Sequence, residues 1–389
     1  MRIGINASFL EKPMTGIGQV TTNFLRELAS LSVKEDILNS PERVVYLYCQ
    51  EAPVLDFELP KNFIVKVFLP WYRRNDVIRQ WLWEKQLANE ATKDGCEVFF
   101  SLYQSATVFS SKGIRHVMLV HDIIPKLFPE YLKKWSHYWH YRAIVGGMQK
   151  AVALITPSET TKQDIIRELS ISPQNIQVVP LGVNAQFFES FTDETLRKNL
   201  KRYQLDPGYL YHGGGLEVRK NTEAVLRGYA LALARKGDLP PLVISGKVYA
   251  ETNPLATPVN KLLEELGLSQ KVRLLGVVPQ DDLPFLYQGA KLFLFPSQYE
   301  GFGLPVLEAF ASKVPVITTS AGALTELAHP TSSLVVATDQ HLTDNIAHAL
   351  ETLLGNEEKC RELSQEAYQR VRAYSWEEFT EKTLRFLVQ

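Results

Sequence analysis

Thirteen short apolar runs, separated by longer amphipathic or polar stretches, constrain the fold of this chain more than any other feature. They are Arg2–Ile5, Val44–Cys49, Phe63–Phe68, Val98–Ser101, His116–Val120, Leu154–Thr156 and Ile176–Val179. A second series follows, with Tyr209–Tyr211, Leu242–Ser245, Val272–Leu275, Leu292–Phe295, Val314–Thr318 and Leu334–Val336. Runs this short and this rich in aliphatic and aromatic residues predict buried strands, and the helix-like stretches between them predict crossover connections. Strands joined by helical crossovers run parallel and are covered on both faces, so two series predict an α/β protein of two doubly wound domains. The polar segment after Val183 marks the boundary. It gives an N-terminal Rossmann-like domain over 1–185, a second over 186–374 and an amphipathic closing helix over 375–389. A short helix and a linker are expected within Asn184–Pro207. Ser375 is the expected N-cap of the closing helix, with Glu378 completing a capping box. At 389 residues and 45% hydrophobic content the chain can fill two cores.

Charge and cysteine usage exclude several classes. A net charge of −1 offers no overall attraction for nucleic acid. Cys49, Cys96 and Cys360 are scattered without Cys-x-x-Cys spacing, which suggests neither a disulfide framework nor a zinc site and fits a reducing cytoplasm. Met1-Arg-Ile-Gly-Ile-Asn enters a strand directly, so no signal peptide is expected, and no apolar run approaches the length of a membrane span. Any membrane contact is expected to be peripheral, at the inner face.

The chemistry concentrates in a few loops at predicted strand ends. In Phe295-Pro-Ser-Gln-Tyr-Glu-Gly-Phe-Gly-Leu-Pro-Val-Leu-Glu308 a strand leads through a glycine loop into a helix expected to end near Ser312. Such a loop sets backbone N–H groups and a helix dipole where a phosphate or sugar hydroxyls could bind. Glu300 stands in the loop and Glu308 one turn into the helix; either alone reads as a solvated acid. Tyr211-His-Gly-Gly-Gly-Leu-Glu-Val-Arg-Lys-Asn221 holds a second glycine loop before the predicted helix Thr222–Ala234. Its Arg219 fork and Lys220 point charge suit a diphosphate. His-Gly-Gly-Gly also suggests an esterase oxyanion loop, but the Gly-x-Ser-x-Gly elbow that this fold requires is absent. Thr15-Gly-Ile-Gly-Gln leads into a helix expected after Gly18. Its spacing does not match the dinucleotide fingerprint and leaves a ligand contact and a structural turn equally open. His121-Asp122 follows a strand end, Asp122 either orienting the imidazole or stabilising the loop turned by Pro125. Aromatic and basic residues interleave over Phe68–Arg74, Trp81–Leu87 and Tyr131–Arg142. Trp81 and Trp83 read as core, whereas Lys133, Lys134 and Trp135 could rest on an anionic membrane or stack on a glycan.

The Glu-x7-Glu pair in its Phe-Pro-Ser…Glu-Gly-Phe-Gly-Leu-Pro…Glu-Ala frame resembles the donor-site signature of the retaining GT-B-fold glycosyltransferases of family 4, the group 1 glycosyltransferases. Supporting matches lie in both predicted domains. The chain departs from the family's Gly-x-Leu-x-Pro-Arg-Lys-Asn pattern at Val218, which replaces Pro, and at Gly215, in a region where many relatives carry Arg. The resemblance implies two Rossmann-like domains facing a central cleft, with the terminal helix returning to the first. It implies a nucleotide-sugar donor held by the second domain, with Glu308 on the ribose, Arg219 and Lys220 on the diphosphate, and Val278 at the base. Glu300 and the backbone of Gly301, Phe302, Gly303 and Leu304 would meet the sugar; Gly214, Gly16 and Gly18 would offer backbone to the donor, and His121 would contact a sugar hydroxyl. It further implies front-face attack with retention. No Asp-x-Asp occurs, so cationic side chains and helix dipoles are expected in place of a metal, and no cofactor beyond the co-substrate. The general style resembles GDP-mannose-dependent mannosyltransferases of polysaccharide assembly, acting on a glycan or lipid-linked acceptor. A UDP-glucose or UDP-GlcNAc enzyme, a sugar-nucleotide epimerase of the same shape and a non-catalytic glycan-binding subunit stand as alternatives.

Overall fold

All thirteen apolar runs form strands in the computed structural model, which describes residues 1–34, 43–71, 76–110, 113–250 and 252–388. Tyr72, Arg73 and Arg74 of the aromatic-basic segment lie outside the described residues. The strands are β1 Arg2–Asn6, β2 Val44–Cys49, β3 Phe63–Val67, β4 Val98–Ser101, β5 Arg115–Leu119, β6 Ala153–Thr156 and β7 Ile176–Val178. Then come β8 Tyr209–His212, β9 Leu242–Ser245, β10 Val272–Gly276, β11 Ala290–Phe295, β12 Val316–Thr318 and β13 Leu334–Val335. Every strand pairing within the two sheets is parallel. The chain forms two units, Met1–Gly182 with Tyr374–Gln389, and Val183–Ala373.

In the first unit the strand order is β3-β2-β1-β4-β5-β6-β7. The chain moves outward in one direction from β1 and returns to continue in the other from β4, so the carboxyl ends of β1 and β4 flank a crevice that no crossover covers. β4 and β6 are buried along their whole length. Among the tryptophans, Trp83 is fully buried, its Nε1 donating to the Phe68 carbonyl at 3.0 Å, whereas Trp81 is half-buried. The helix Trp376–Val388 packs on the helix Gly16–Lys34, where the rings of Phe24 and Phe379 meet edge to face at 6.0 Å. Arg115 fixes its far end through the carbonyls of Phe386 and Leu387. At its start Ser375 Oγ accepts the Glu378 N–H at 3.1 Å, while the Glu378 carboxylate pairs with Lys382 at 2.6 Å, so half of the expected capping box forms.

The second unit has the order β10-β9-β8-β11-β12-β13, and its reversal falls between β8 and β11. Helix Thr222–Lys236 lies against helix Leu342–Leu354, and the approach depends on Gly228: a Cβ there would stand 2.7 Å from Ile346 Cγ2. Ahead of β8, the segment after the unit boundary folds into the helix Asp193–Leu200, opened by Thr192, whose side chain accepts the Thr195 N–H. Asp282 of the adjacent acid pair is buried and accepts from Arg202 Nη1 at 2.8 Å and the Tyr203 hydroxyl at 2.5 Å, which gives it a structural task.

Each sheet buries a histidine. His116 on β5 meets Ser101 Oγ at 3.0 Å, and burial pushes its pKa down to about 3. His212 on β8 lies between the Leu294 carbonyl at 2.8 Å and Thr222 Oγ1 at 2.9 Å, and burial lowers its pKa to about 4. Both folded values lie below the unfolded value, so as pH falls from about 6.5 the unfolded chain gains protons that the folded chain does not, and stability declines. Each imidazole contributes up to about 1.4 kcal/mol per pH unit to that decline. Denaturant titrations at pH 7 and pH 5 check this: His116→Asn and His212→Asn should each lose less stability on acidification than the unsubstituted protein. An unchanged slope in both would assign the acid sensitivity elsewhere.

Candidate active site

Two loops leave the carboxyl ends of β8 and β11, on either side of the second sheet's reversal. Open parallel sheets bind ligands at such a point because the crossovers diverge there. From β8 the chain runs through Gly213–Gly215 to a single 3-10 turn, Val218–Lys220. Gly214 is required where it stands: its φ is +89°, and a Cβ would lie 2.8 Å from Phe295 Cε2 and 3.1 Å from Pro305 Cγ. From β11 the chain runs through Pro296–Gly303 into the helix Leu304–Ala311, with Ser312 as its C-cap. Gly303, at φ +115°, is the N-cap, and a Cβ there would press on Leu324 and Leu327 at 2.9 Å.

The two loops are laced together by backbone and side chain. The Arg219 carbonyl accepts the Gln298 N–H at 2.7 Å and Ser297 Oγ at 3.2 Å. Asn221, held in the left-handed region at φ +57°, donates from Nδ2 to the Pro296 carbonyl at 2.7 Å and accepts at Oδ1 from Gln298 Nε2 at 2.7 Å. This arrangement brings Arg219, Lys220 and Glu300 together. Glu300 Oε1 accepts from Lys220 Nζ at 2.6 Å and from Arg219 Nη1 at 2.9 Å. Arg219 also donates from Nη1 to the Tyr299 carbonyl at 2.8 Å and from Nε to Glu217 Oε2 at 3.0 Å. Lys220 is 6% exposed and Glu300 7%. Burial lowers the Lys220 ammonium pKa, and Glu300 offsets part of that loss. Burial alone would raise the Glu300 carboxyl, but Lys220 and Arg219 outweigh it and hold it below the ordinary carboxylate value. The Lys220 ammonium also stands 4.8 Å over the Phe295 ring, a cation–π contact that partly replaces lost water.

Glu308 has different company. The Tyr287 hydroxyl donates to its Oε2 at 3.0 Å, and Gln280 also hydrogen-bonds to it. Burial dominates nonetheless and raises its pKa to about 7. Val278, two residues before Gln280, is buried in the turn after β10, with the preceding Val277 exposed. Gly301 and Phe302 are buried in the loop itself, and Leu304 opens the helix half-buried.

In the first unit His121 follows β5. Its Nε2 meets the Leu102 carbonyl at 2.9 Å, an arrangement in which Nε2 carries the proton, and burial lowers its pKa to about 4. The Leu102 carbonyl thus orients the ring, while Asp122 Oδ1 accepts the Ile124 N–H at 2.9 Å and fixes the loop ahead of Pro125. The helix expected to start after Gly18 starts at Gly16, because Thr15 Oγ1 accepts the Gly18 N–H at 3.1 Å. Gly18 is sterically required: a Cβ would fall 2.0 Å from the Lys12 carbonyl oxygen, whereas Gly16 faces open space.

Sequence reasoning passed over Asn221, Tyr287 and Gln280. Asn221 was within reach, since Asn is the non-glycine residue that best tolerates a left-handed turn at a helix entry. Tyr287 carries no such signal, being one aromatic among apolar neighbours in the short helix Leu283–Gly289.

Removing one member of a buried, hydrogen-bonded ion pair typically costs about 3–5 kcal/mol, because the partner stays buried and uncompensated. Lys220→Ala and Glu300→Ala should therefore each destabilise the second unit, and the double variant should lose less than the sum, with a coupling above about 1 kcal/mol in denaturant titrations. Additive losses would show that the contact contributes nothing.

Comparison with known proteins agrees with the two-domain fold. The family model described as glycosyl transferases group 1 matches residues 193–370. The model described as Glycosyltransferase Family 4 matches residues 14–187. The O-antigen chain mannosyltransferase B of Escherichia coli is 30% identical over 272 residues, 69% of each chain. The serotype-specific mannosyltransferase WbdA of Escherichia coli is 28% identical over 263 residues, 67% of this chain and 32% of that longer protein. Among solved structures, WaaG, a glycosyltransferase involved in lipopolysaccharide biosynthesis, superposes with a TM-score of 0.75 at 17% identity, covering 100% of this chain and 99% of its own. With both halves matched and two parallel-sheet domains of the GT-B class observed, the protein belongs to the group 1, family 4 glycosyltransferases.

Proposed function

We propose that this glycosyltransferase moves an α-mannosyl residue from GDP-mannose to a glycan or lipid-linked saccharide acceptor in cell-surface polysaccharide assembly, with retention and without a metal. The observation that carries the reading is the convergence of Arg219 and Lys220 on Glu300 at the reversal point of the second sheet. Two cations poised beside one carboxylate can share their N–H donors with an arriving diphosphate and neutralise charge as it builds on the leaving group. Glu300, held ionised by the same cations, accepts hydrogen bonds from sugar hydroxyls, together with the backbone of the Gly301–Gly303 loop. Glu308 accepts the ribose hydroxyls. In the retaining step the bond from the anomeric carbon to the phosphate oxygen breaks, the acceptor oxygen bonds to the same face, and the acceptor proton passes to the departing phosphate. His121, neutral through burial, meets a sugar hydroxyl without adding charge. The choice of mannose rests on the relatives, both mannosyltransferases by name.

A thermal-shift panel of GDP, UDP, ADP and their sugar conjugates tests the donor. GDP and GDP-mannose should raise the melting temperature, a ligand at a hundredfold excess over Kd stabilising by about 2.7 kcal/mol. Stabilisation by UDP ligands instead would overturn the mannose assignment, and an inverted anomer in the product would overturn retention. The Glu308 pKa adds a pH signature: accepting ribose hydroxyls requires the carboxylate, so GDP affinity should weaken below about pH 7, by up to about tenfold per unit. Glu308→Gln should flatten that profile, and a profile of unchanged slope would remove Glu308 from the ribose.

A further inference from the structure

We infer that Tyr287 is a positioning residue for donor binding: its hydroxyl fixes the orientation in which Glu308 meets the ribose, a role that rests on the ribose assignment above. The Tyr287 hydroxyl donates to Glu308 Oε2 at 3.0 Å. A phenol has a single proton to give, so it selects one carboxylate oxygen and with it one setting of the carboxylate. The ring that carries the hydroxyl is itself held on three sides. Phe293 meets it at 5.0 Å, Tyr211 at 5.2 Å and Phe187 at 5.7 Å, each edge to face. Tyr287 is 2% exposed, so water does not compete for the hydroxyl.

Two features separate this contact from ordinary core packing. The first is where the hydroxyl goes. Tyr209 and Tyr229, buried in the same unit, donate to the backbone carbonyls of Leu286 at 2.7 Å and Pro240 at 2.9 Å. Tyr287 instead gives its proton to a side chain on the helix Leu304–Ala311, which the carboxylate loop enters. Phenylalanine would fill the same space, as it does at Phe187 and Phe293 beside it, so packing alone does not call for the hydroxyl. The second feature is that nothing else holds Glu308 so rigidly. Among the described residues no cation contributes to its titration. Tyr211 on β8 faces it as a neutral phenol, and Gln280 reaches it from the 3-10 turn Gln280–Asp282 as a half-buried amide on a flexible stem. A glutamate turns about more bonds than a tyrosine, and ordering it only when nucleotide arrives would weaken binding by the entropy lost. Tied to a packed ring, Glu308 is ordered beforehand.

Calorimetric titration of the full chain with GDP between about pH 6 and pH 9 tests the role, on the unsubstituted protein, Tyr287→Phe, Glu308→Gln and the double variant. Losing a hydrogen bond to a charged group, Tyr287→Phe should bind GDP about tenfold more weakly at pH 7. The hydroxyl favours the ionised carboxylate, so its loss should also move the affinity profile to higher pH. A role in packing alone would lower affinity at every pH and leave the profile in place, and that outcome overturns the proposal. In the Glu308→Gln background the same substitution should move no profile and weaken binding by about threefold at most. Carboxyl NMR of Glu308 without nucleotide gives a second readout, its titration midpoint rising above about 7 in Tyr287→Phe. An unchanged midpoint with unchanged GDP binding would overturn the proposal, as would an equal loss of affinity in both backgrounds. Equal GDP affinity of the unsubstituted protein and Glu308→Gln would instead remove Glu308 from the ribose, and the positioning role with it.

Discussion

A lysine ammonium shut away from water is costly unless a carboxylate goes in with it. The second unit is built to make that pairing unavoidable. Lys220 is withdrawn from solvent at the mouth of the β8–β11 reversal, and Glu300, 80 residues further along the chain, is withdrawn to the same place. Neither position makes sense without the other. Around them, Gly214 and Gly303 let the two loops come close, Asn221 and Gln298 join the loops, and Arg219 brings a second positive charge that keeps Glu300 ionised despite its burial. The result is a compact cluster of opposite charges at the reversal of the second sheet, in which Arg219 and Lys220 both donate to Glu300.

Much of the fold was legible because parallel strands buried on both faces must be apolar throughout, and the chain's strands read that way. β2, β4 and β9 begin and end where the apolar runs do; elsewhere the differences amount to a residue or two at the ends, where strand pairing and not side-chain polarity decides the limit. The glycine loops were legible as well, since a left-handed or crowded backbone position admits little else. The start of the helix at Gly16 was less so. Thr15 caps it with a hydroxyl, and a glycine within the first turn disguises the boundary.

The charged members of the candidate site could be read from the sequence, but their pairings could not, and the uncharged Asn221, Tyr287 and Gln280 went unread. Arg219, Lys220 and Glu300 stood out as separate groups, with the cations reserved for phosphate and the acid for sugar. That all three meet at one carboxylate oxygen depends on two distant strands lying side by side, which no local pattern reports. The same holds for Glu308, whose environment is set by Tyr287 and Gln280 from the preceding helix and turn. Asp122 shows the converse. Its short-range bond to the Ile124 N–H is a local device, visible in principle from the residues alone, and the ring of His121 is instead oriented by a carbonyl from the neighbouring strand's end.

Asn221 bears on how quickly the charged cluster can respond to an incoming anion. Its two side-chain bonds tie the cation turn to the carboxylate loop, and the Gln298 N–H to the Arg219 carbonyl adds a third tie. With both backbones pinned in this way, Lys220 and Arg219 can change partners by turning about their own side-chain bonds while the loops stay in place. Such rotations belong to a faster class of motion than the microsecond-to-millisecond displacement of whole segments. Under the proposed function, exchange of the internal carboxylate for the donor's diphosphate would then proceed by side-chain rotation, with the loops held in place.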